Sequence, residues 1–330
     1  QWAARSRQPR GRRRRGELMR VLVTGAGGFV GRALVPALVQ AGHSVVATDR
    51  ACAGLQQLGA DEVVEGDIAD PKLREAAIAS AQAAIHLATI PGGAAEIDPP
   101  LARRINVQAA MALSEEFSAQ HPTARFVFAS SVAVFGHPLP PRVDDDTPVL
   151  PRMIYGAHKA MLETWLATLT RRGDLSAVSL RLPGIVARPP TPSGLKSAYM
   201  SDVFHALRHH SPIELPVSPD ATMWLMSVNQ VARCLARALE LAPVDLPPSS
   251  AATLPALRVS MAELVAELCR QCEADPGLVS YVPDPEIEMG FGRQPPLITR
   301  EAERLGFFHD GDVTQLVRSA LATLTPEIPS

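Results

Sequence analysis

The stretch Met19-Arg20-Val21-Leu22-Val23-Thr24-Gly25-Ala26-Gly27-Gly28-Phe29-Val30-Gly31 begins as a short apolar run and passes through a TGxxGxxG turn into a helical pattern over Val30 to Gln40. Strand, glycine turn and helix in that order form a site for a pyrophosphate. Gly25 and Gly28 let the backbone turn tightly and approach the phosphates, and Gly31 allows helix and strand to pack closely. The helix start at Phe29 and Val30 then offers amide donors and a positive dipole end. An acidic residue about twenty positions on completes the pattern, and Asp49 ends the next apolar run, Val45-Val46-Ala47-Thr48-Asp49-Arg50. A carboxylate there accepts both adenosine ribose hydroxyls and repels a 2'-phosphate, which favours NAD over NADP, with Arg50 blunting the preference. Asp67-Ile68, after the third apolar run, is expected at the adenine edge and face, and Leu87 and Ala88, at the end of the fourth, beside the cofactor.

Outward from this turn, short apolar runs alternate with longer amphipathic ones, the pattern of β-α units around a parallel sheet. Strands are expected at Arg20 to Thr24, Ser44 to Thr48, Glu62 to Glu65, Ala83 to Leu87, Arg125 to Ala129 and Ala177 to Leu182. Helices are expected at Val30 to Gln40, briefly near Gly54, at Pro71 to Ser80, Leu101 to Gln120 and Ile154 to Arg171. Several strands are apolar almost throughout, as they are when helices cover both faces of a sheet. After about residue 183 proline becomes frequent, with helical patterns at Val228 to Leu241, Met261 to Glu273 and Val313 to Leu324. The fold class read from this is α/β, a Rossmann-type doubly wound parallel sheet with a smaller C-terminal substrate-binding lobe. Residues 19–182 form the NAD-binding domain, and 183–330 mainly the second lobe, with some elements returning to the sheet.

Composition narrows the function. The 330 residues are 46% hydrophobic and 20% charged with a formal net charge of -2, so a substantial core is available and a disordered or disulfide-built chain is excluded. The charge is uneven. Residues 1–18 hold seven Arg and one Glu, leaving 25 Lys and Arg against 33 Asp and Glu beyond them. An acidic body argues against nucleic acid as the partner, since phosphate binding needs clustered cations. The Arg-rich segment is expected to lie outside the fold, as a non-native or disordered extension with Met19 as the natural start, which N-terminal sequencing of native protein would test. Four scattered cysteines fit a reducing compartment. The Cys269-Cys272 pair lies inside an amphipathic helical pattern with no companion ligands, and His209-His210 would point apart on a helix, so no metal is expected. No apolar run approaches the ~20 residues of a membrane helix, and a cytoplasmic location is the simplest expectation.

The chemistry is carried by Ala129-Ser130-Ser131-Val132, ending the fifth strand, and by Tyr155-Gly156-Ala157-His158-Lys159. Residues four apart on a helix share a face, so Tyr155 and Lys159 can project into one cleft. The chain's other two tyrosines, Tyr199 and Tyr281, have no Lys at that offset.

The dinucleotide turn, the Ser at a strand's carboxyl end and YxxxK together resemble the extended short-chain dehydrogenase/reductase family over residues 19 to 330. That resemblance implies a nicotinamide enzyme in which Tyr155 exchanges a proton with the substrate hydroxyl. Lys159 favours the phenolate and holds the nicotinamide ribose, and Ser131, the second Ser of its pair, bonds the reacting oxygen. It also implies that Asn106 bonds backbone near the active site and that Pro183 passes the nicotinamide amide. Helices Leu101 to Gln120 and Ile154 to Arg171 resemble the pair through which this family forms homodimers.

Within the family, nucleotide-sugar enzymes commonly carry an Arg for the substrate diphosphate where this chain has Met223, and a Tyr where it has Phe135. Ser131 to Gly136, Pro138-Leu139-Pro140, Arg181-Leu182-Pro183, Val186 to Pro189 and Pro216 to Asp220 with Trp224 look instead like the D-erythronate dehydrogenase group, which oxidises the 2-hydroxyl of a four-carbon sugar acid to a 2-oxo acid. The run Pro192 to Tyr199, expected to line the substrate pocket, departs from that group. A substrate carboxylate needs a cation, and Arg188 and Lys196, flanking the sixth-strand exit, are the candidates. The competing readings are a nucleotide-sugar epimerase or dehydratase that keeps its NAD bound, and a non-catalytic NAD-binding scaffold.

Overall fold

In the computed structural model, which describes residues 18–190 and 196–324, the strands in chain order are β1 (Arg20–Thr24), β2 (Ser44–Asp49), β3 (Glu62–Glu65), β4 (Ala83–His86), β5 (Arg125–Ser131), β6 (Ser176–Leu182), β7 (Gly184–Val186), β8 (Ile213–Leu215), β9 (Thr222–Ser227), β10 (Ala251–Thr253), β11 (Leu257–Ser260) and β12 (Val279–Tyr281). Seven of them make one parallel sheet in the order β10-β6-β5-β4-β1-β2-β3. The order reverses between β1 and β4, and a crevice forms at the carboxyl ends of strands where neighbouring connections leave to opposite faces.

The helices are α1 (Phe29–Gln40), α2 (Pro71–Ile78), α3 (Gly92–Ile97), α4 (Pro99–Arg103), α5 (Ala110–Gln120), α6 (Ile154–Arg171), α7 (Tyr199–Arg208), α8 (Val228–Ala238), α9 (Met261–Cys272), α10 (Pro285–Phe291), α11 (Arg300–Arg304) and α12 (Val313–Leu321). Strand β1 shows why both sheet faces are covered. Val21 and Val23 join Leu34 and Leu38 of α1 and Val231 and Leu235 of α8 in one core. Leu22, pointing the other way, joins Leu73 of α2, Phe117 of α5 and Leu162 and Leu166 of α6. Each such fully buried side chain stabilises the fold by about 1.5–3 kcal/mol, an upper estimate.

A second lobe has its own core, in which α7, α9 and α12 pack against a three-stranded sheet ordered β11-β9-β7. Strand β10 and helix α8, although late in the chain, belong to the first layer: β10 pairs with β6, and α8 packs in the core shared with α1.

Two expectations are corrected. The segment near Gly54 forms turns rather than a helix, because Gly54 and Gly59 both sit at positive φ, 81° and 99°. The expected helix from Leu101 to Gln120 begins earlier, at Pro99, and is interrupted by a π-helical turn over Arg104–Ala109. Such turns collect at functional sites, and this one contains Asn106.

Candidate active site

One cleft of about 1540 Å³ runs along the carboxyl ends of the main sheet and under the second lobe, larger than a drug-sized pocket. Gly25, Gly28, Phe29, Val30, Asp49, Asp67, Ile68, Leu87, Ala88, Ser131, Tyr155, Lys159, Pro183, Arg188 and Lys196 all line it. Asn106 does not.

At one end the turn after β1 is shaped for close approach. Gly25 lies at φ 71°, and a Cβ there would come within 2.6 Å of the Ala88 amide nitrogen; on Gly31 it would meet the Gly25 carbonyl at 2.4 Å. Only glycine at both positions lets the loop after β4 and the start of α1 crowd the turn; the amides of Ala26, Gly27 and Gly28 donate within the chain, and those of Phe29 and Val30 at the start of α1 face a phosphate. The Asp49 carboxylate is fixed at the lip by amides: Oδ2 accepts from Gly27 N at 3.0 Å, and Oδ1 from Arg50 N at 2.6 Å and Ala51 N at 3.3 Å. Asp67 is held likewise, by Ala69 N at 2.9 Å and by Arg104 Nη2 at 3.0 Å. Burial pushes its carboxyl up, but the Ala69 amide and the Arg104 guanidinium outweigh this and bring it below the usual carboxylate range. A glycine turn that lets a ligand approach the first amides of α1, two placed carboxylates and the apolar Ile68 fit a dinucleotide with a free adenosine ribose.

At the other end, α6 presents Tyr155 and Lys159 on one face. Lys159 is buried; its Nζ donates to the Ala129 carbonyl at 2.7 Å and lies 5.4 Å from the Tyr155 ring centroid. Burial pushes the Lys159 ammonium down to about 7, opposed by the Glu163 carboxylate one turn further along α6. Burial pushes the Tyr155 phenol up to about 12, opposed first by the Arg188 guanidinium and then by a hydrogen bond with Ser131.

The two serines ending β5 are separated by their partners. Ser130 Oγ donates to Glu163 at 2.5 Å, inside a buried cluster in which Arg181 Nη2 meets the same carboxylate at 2.8 Å. Ser131 faces the cleft, its hydroxyl accepting from Ala133 N at 3.1 Å and bonding the Tyr155 phenol. Asn106, 4% exposed, acts on backbone: Oδ1 accepts from Ile90 N at 2.6 Å and Thr89 Oγ1 at 3.1 Å, and Nδ2 donates to Ile90 O at 3.0 Å. It is a positioning residue for the loop after β4, whose Thr89 and Ile90 line the cleft.

The two candidate cations separate. Lys196 pairs with Glu286 at the exposed rim. Arg188 lines the cleft with no hydrogen bond or ion pair to its guanidinium among the described residues, and it interacts electrostatically with Tyr155. Of the run Pro192 to Tyr199, residues 192–195 lie outside the described residues, while Lys196, Ser197 and Ala198 do line the cleft. Met223 is fully buried in the second lobe's core, and its neighbour Trp224 reaches the cleft instead.

Several contributors carried no readable signal. Glu163 follows Lys159 by four residues and so shares its face, which the helical spacing would have allowed, but its pairing with Arg181 on β6 depends on the fold. His86, ending β4, is fully buried with Nδ1 2.6 Å from Thr24 Oγ1; burial and then the Lys159 charge push it down to about 3, so it is neutral. Among the described residues no group of three His, Cys, Asp or Glu is placed to hold a metal ion, and no helix is long and apolar enough to cross a membrane.

Comparison with known proteins agrees with this geometry. The model of the NAD dependent epimerase/dehydratase family matches residues 21–247. The D-erythronate dehydrogenase of Cupriavidus necator is 33% identical over 317 residues, covering 91% of this chain and 97% of that protein. The enzyme of the same name from Haemophilus influenzae is 28% identical over 270 residues, covering 76% and 81%. The solved nucleoside-diphosphate-sugar epimerase from Agrobacterium tumefaciens superposes with a TM-score of 0.83 at 24% identity, covering 96% of this chain and 98% of that one, a likeness of fold. The chain belongs to the NAD dependent epimerase/dehydratase family and is an NAD-dependent dehydrogenase of it.

Proposed function

We propose that this chain oxidises the 2-hydroxyl of a small sugar acid, D-erythronate or a close relative, to the 2-oxo acid. The observation that carries the reading is Arg188: a cleft cation, unpaired among the described residues, set beside the Tyr155 phenol. A carboxylate bound there places the carbon next to it, and that carbon's hydroxyl, at the proton acceptor. The names of the two relatives point to the same substrate class. The buried Met223 leaves no cation for a diphosphate at that position.

Oxidation of a secondary alcohol removes a proton from oxygen and a hydride from carbon. The turn after β1 and the start of α1, with Asp49 and Asp67, would hold the adenosine end of NAD, and Lys159 and Pro183 its nicotinamide end, where it would supply the hydride acceptor. Ser131 orients the substrate hydroxyl, and Tyr155, as phenolate, takes its proton. Arg188 favours the phenolate and anchors the carboxylate. Ser130, Glu163 and Arg181 keep the support beneath Lys159 rigid.

We also propose a homodimer through α5 and α6. Met161 stands 54% exposed on α6, and Trp165, one turn on, bonds Ser114 of α5.

A panel of sugar acids, the matching aldoses and nucleotide sugars, incubated with NAD, tests the substrate reading. Reduced cofactor released with four-carbon 2-hydroxy acids alone supports it, and turnover of nucleotide sugars with no cofactor released sinks it.

A further inference from the structure

Strand β7 ends at Val186, so the backbone of Arg188, two residues on, has no ladder to join. A polar backbone leaving a sheet needs other partners, and α7 provides both. The Arg188 amide donates to Ser201 Oγ at 3.0 Å, and the Arg188 carbonyl lies 2.8 Å from His205 Nε2. Because a carbonyl only accepts, Nε2 carries the proton. Ser201 and His205 are four residues apart and so share one face of α7. That face is pressed onto the strand exit by a buried core in which Val186 and Ala187 meet Tyr199, Met200, Val203 and Phe204. Among the described residues no hydrogen bond is made by the guanidinium and no carboxylate pairs with it, although Asp202 lines the same cleft. Backbone fixed on both sides, side chain left open toward the cleft: this is how a recognition residue is pre-organised.

We propose that Ser201 and His205 are positioning residues which, by bracketing the Arg188 backbone, aim its guanidinium at the substrate carboxylate and so set selectivity for acids. The proposal rests on the carboxylate role of Arg188 given above. Loss of the clamp mis-aims the guanidinium but leaves its charge in the cleft, where it still favours the Tyr155 phenolate, so acid binding weakens more than turnover slows.

The test is steady-state kinetics with D-erythronate and saturating NAD on Ser201→Ala, His205→Ala and Arg188→Gln, with NAD affinity measured in parallel. Each clamp variant should raise KM about tenfold while kcat changes by less than about threefold, with NAD affinity unaltered. Ser201→Thr, which keeps the hydroxyl, and His205→Gln, which keeps a donor, should return KM toward the wild-type value. If Arg188→Gln raises KM steeply while both clamp variants behave as wild type, the clamp is wrong and the carboxylate reading stands. If Arg188→Gln leaves KM unchanged, the carboxylate reading itself falls, and the clamp with it. Should His205→Ala fail to fold, Ser201→Ala, which removes one hydroxyl, decides alone; a loss of kcat without a rise in KM, or a loss of NAD affinity, would mark a merely structural role and overturn the proposal.

Discussion

Arg188 and Tyr155 act on each other's charge: the guanidinium opposes the push of burial on the phenol, and the phenol in turn favours the guanidinium. A phenol held at about 12 is a poor base near neutral pH. The opposing cation therefore bears directly on turnover. Removing it leaves the upward push of burial less opposed, so the pKa of Tyr155 rises. In Arg188→Gln the ascending limb of kcat against pH should move to higher pH, by about one unit or more, as read from cofactor reduction across a buffer series.

Asp49 should govern cofactor choice. Its carboxylate accepts three backbone amides at the lip of the cleft, and like charges there disfavour a 2'-phosphate. Asp49→Asn loses the charge and keeps one oxygen acceptor, enough for the Arg50 and Ala51 amides but not for that of Gly27. The ratio of kcat/KM for NADP to that for NAD should rise about tenfold, with the melting temperature little changed.

The buried cluster of Glu163, Arg181 and Ser130 predicts a stability effect. The ion pair is 10% and 7% exposed, and removing one partner strands the other charge. Glu163→Gln should destabilise the fold by about 3–5 kcal/mol, measured by denaturant unfolding. It also removes the group that holds the Lys159 ammonium up. Because Lys159 sits at about 7, below its unfolded value, its cost to stability is full below that pH and fades as pH rises toward the ordinary lysine range. In the variant the fading should begin at lower pH.

The exposed face of α6 predicts assembly. Met161→Lys should convert a dimer into a monomer in light scattering coupled to gel filtration. A wild-type protein that is already monomeric would remove the dimer proposal.

Much of the layout could be read from sequence because local pattern and global position coincide in the first lobe. Strands β1 to β6 are apolar runs separated by helical ones except at the turns between β2 and β3, and the glycines of the turn after β1 are demanded by contacts with the chain's own backbone. Tyr155 and Lys159 were legible for the same reason, since helical spacing alone puts them on one face. In the second lobe the helical patterns of α9 and α12 were legible too, but the strands were not. Strands β7, β8 and β12, like β10 at the edge of the main sheet, have three residues each, too few for an alternation to show. The pairing of β10 with β6 joins segments more than seventy residues apart, which no local signal records. Arg188 and Lys196 looked alike as loop cations; only the folded chain gives one to Glu286 and leaves the other facing the cleft. The π turn at Asn106 is invisible in a helical pattern because it adds a residue without breaking the apolar stripe.

The measurement that bears most directly on the account is release of reduced cofactor when D-erythronate and NAD are mixed with wild-type protein and with Tyr155→Phe. With the wild type, NADH and a 2-oxo acid should accumulate steadily and in equal amounts. With the variant, kcat should fall by at least about a thousandfold while NAD still binds. Equal rates in the two proteins would contradict the role given to Tyr155, and wild-type protein that binds NAD yet reduces none with any sugar acid would contradict the function.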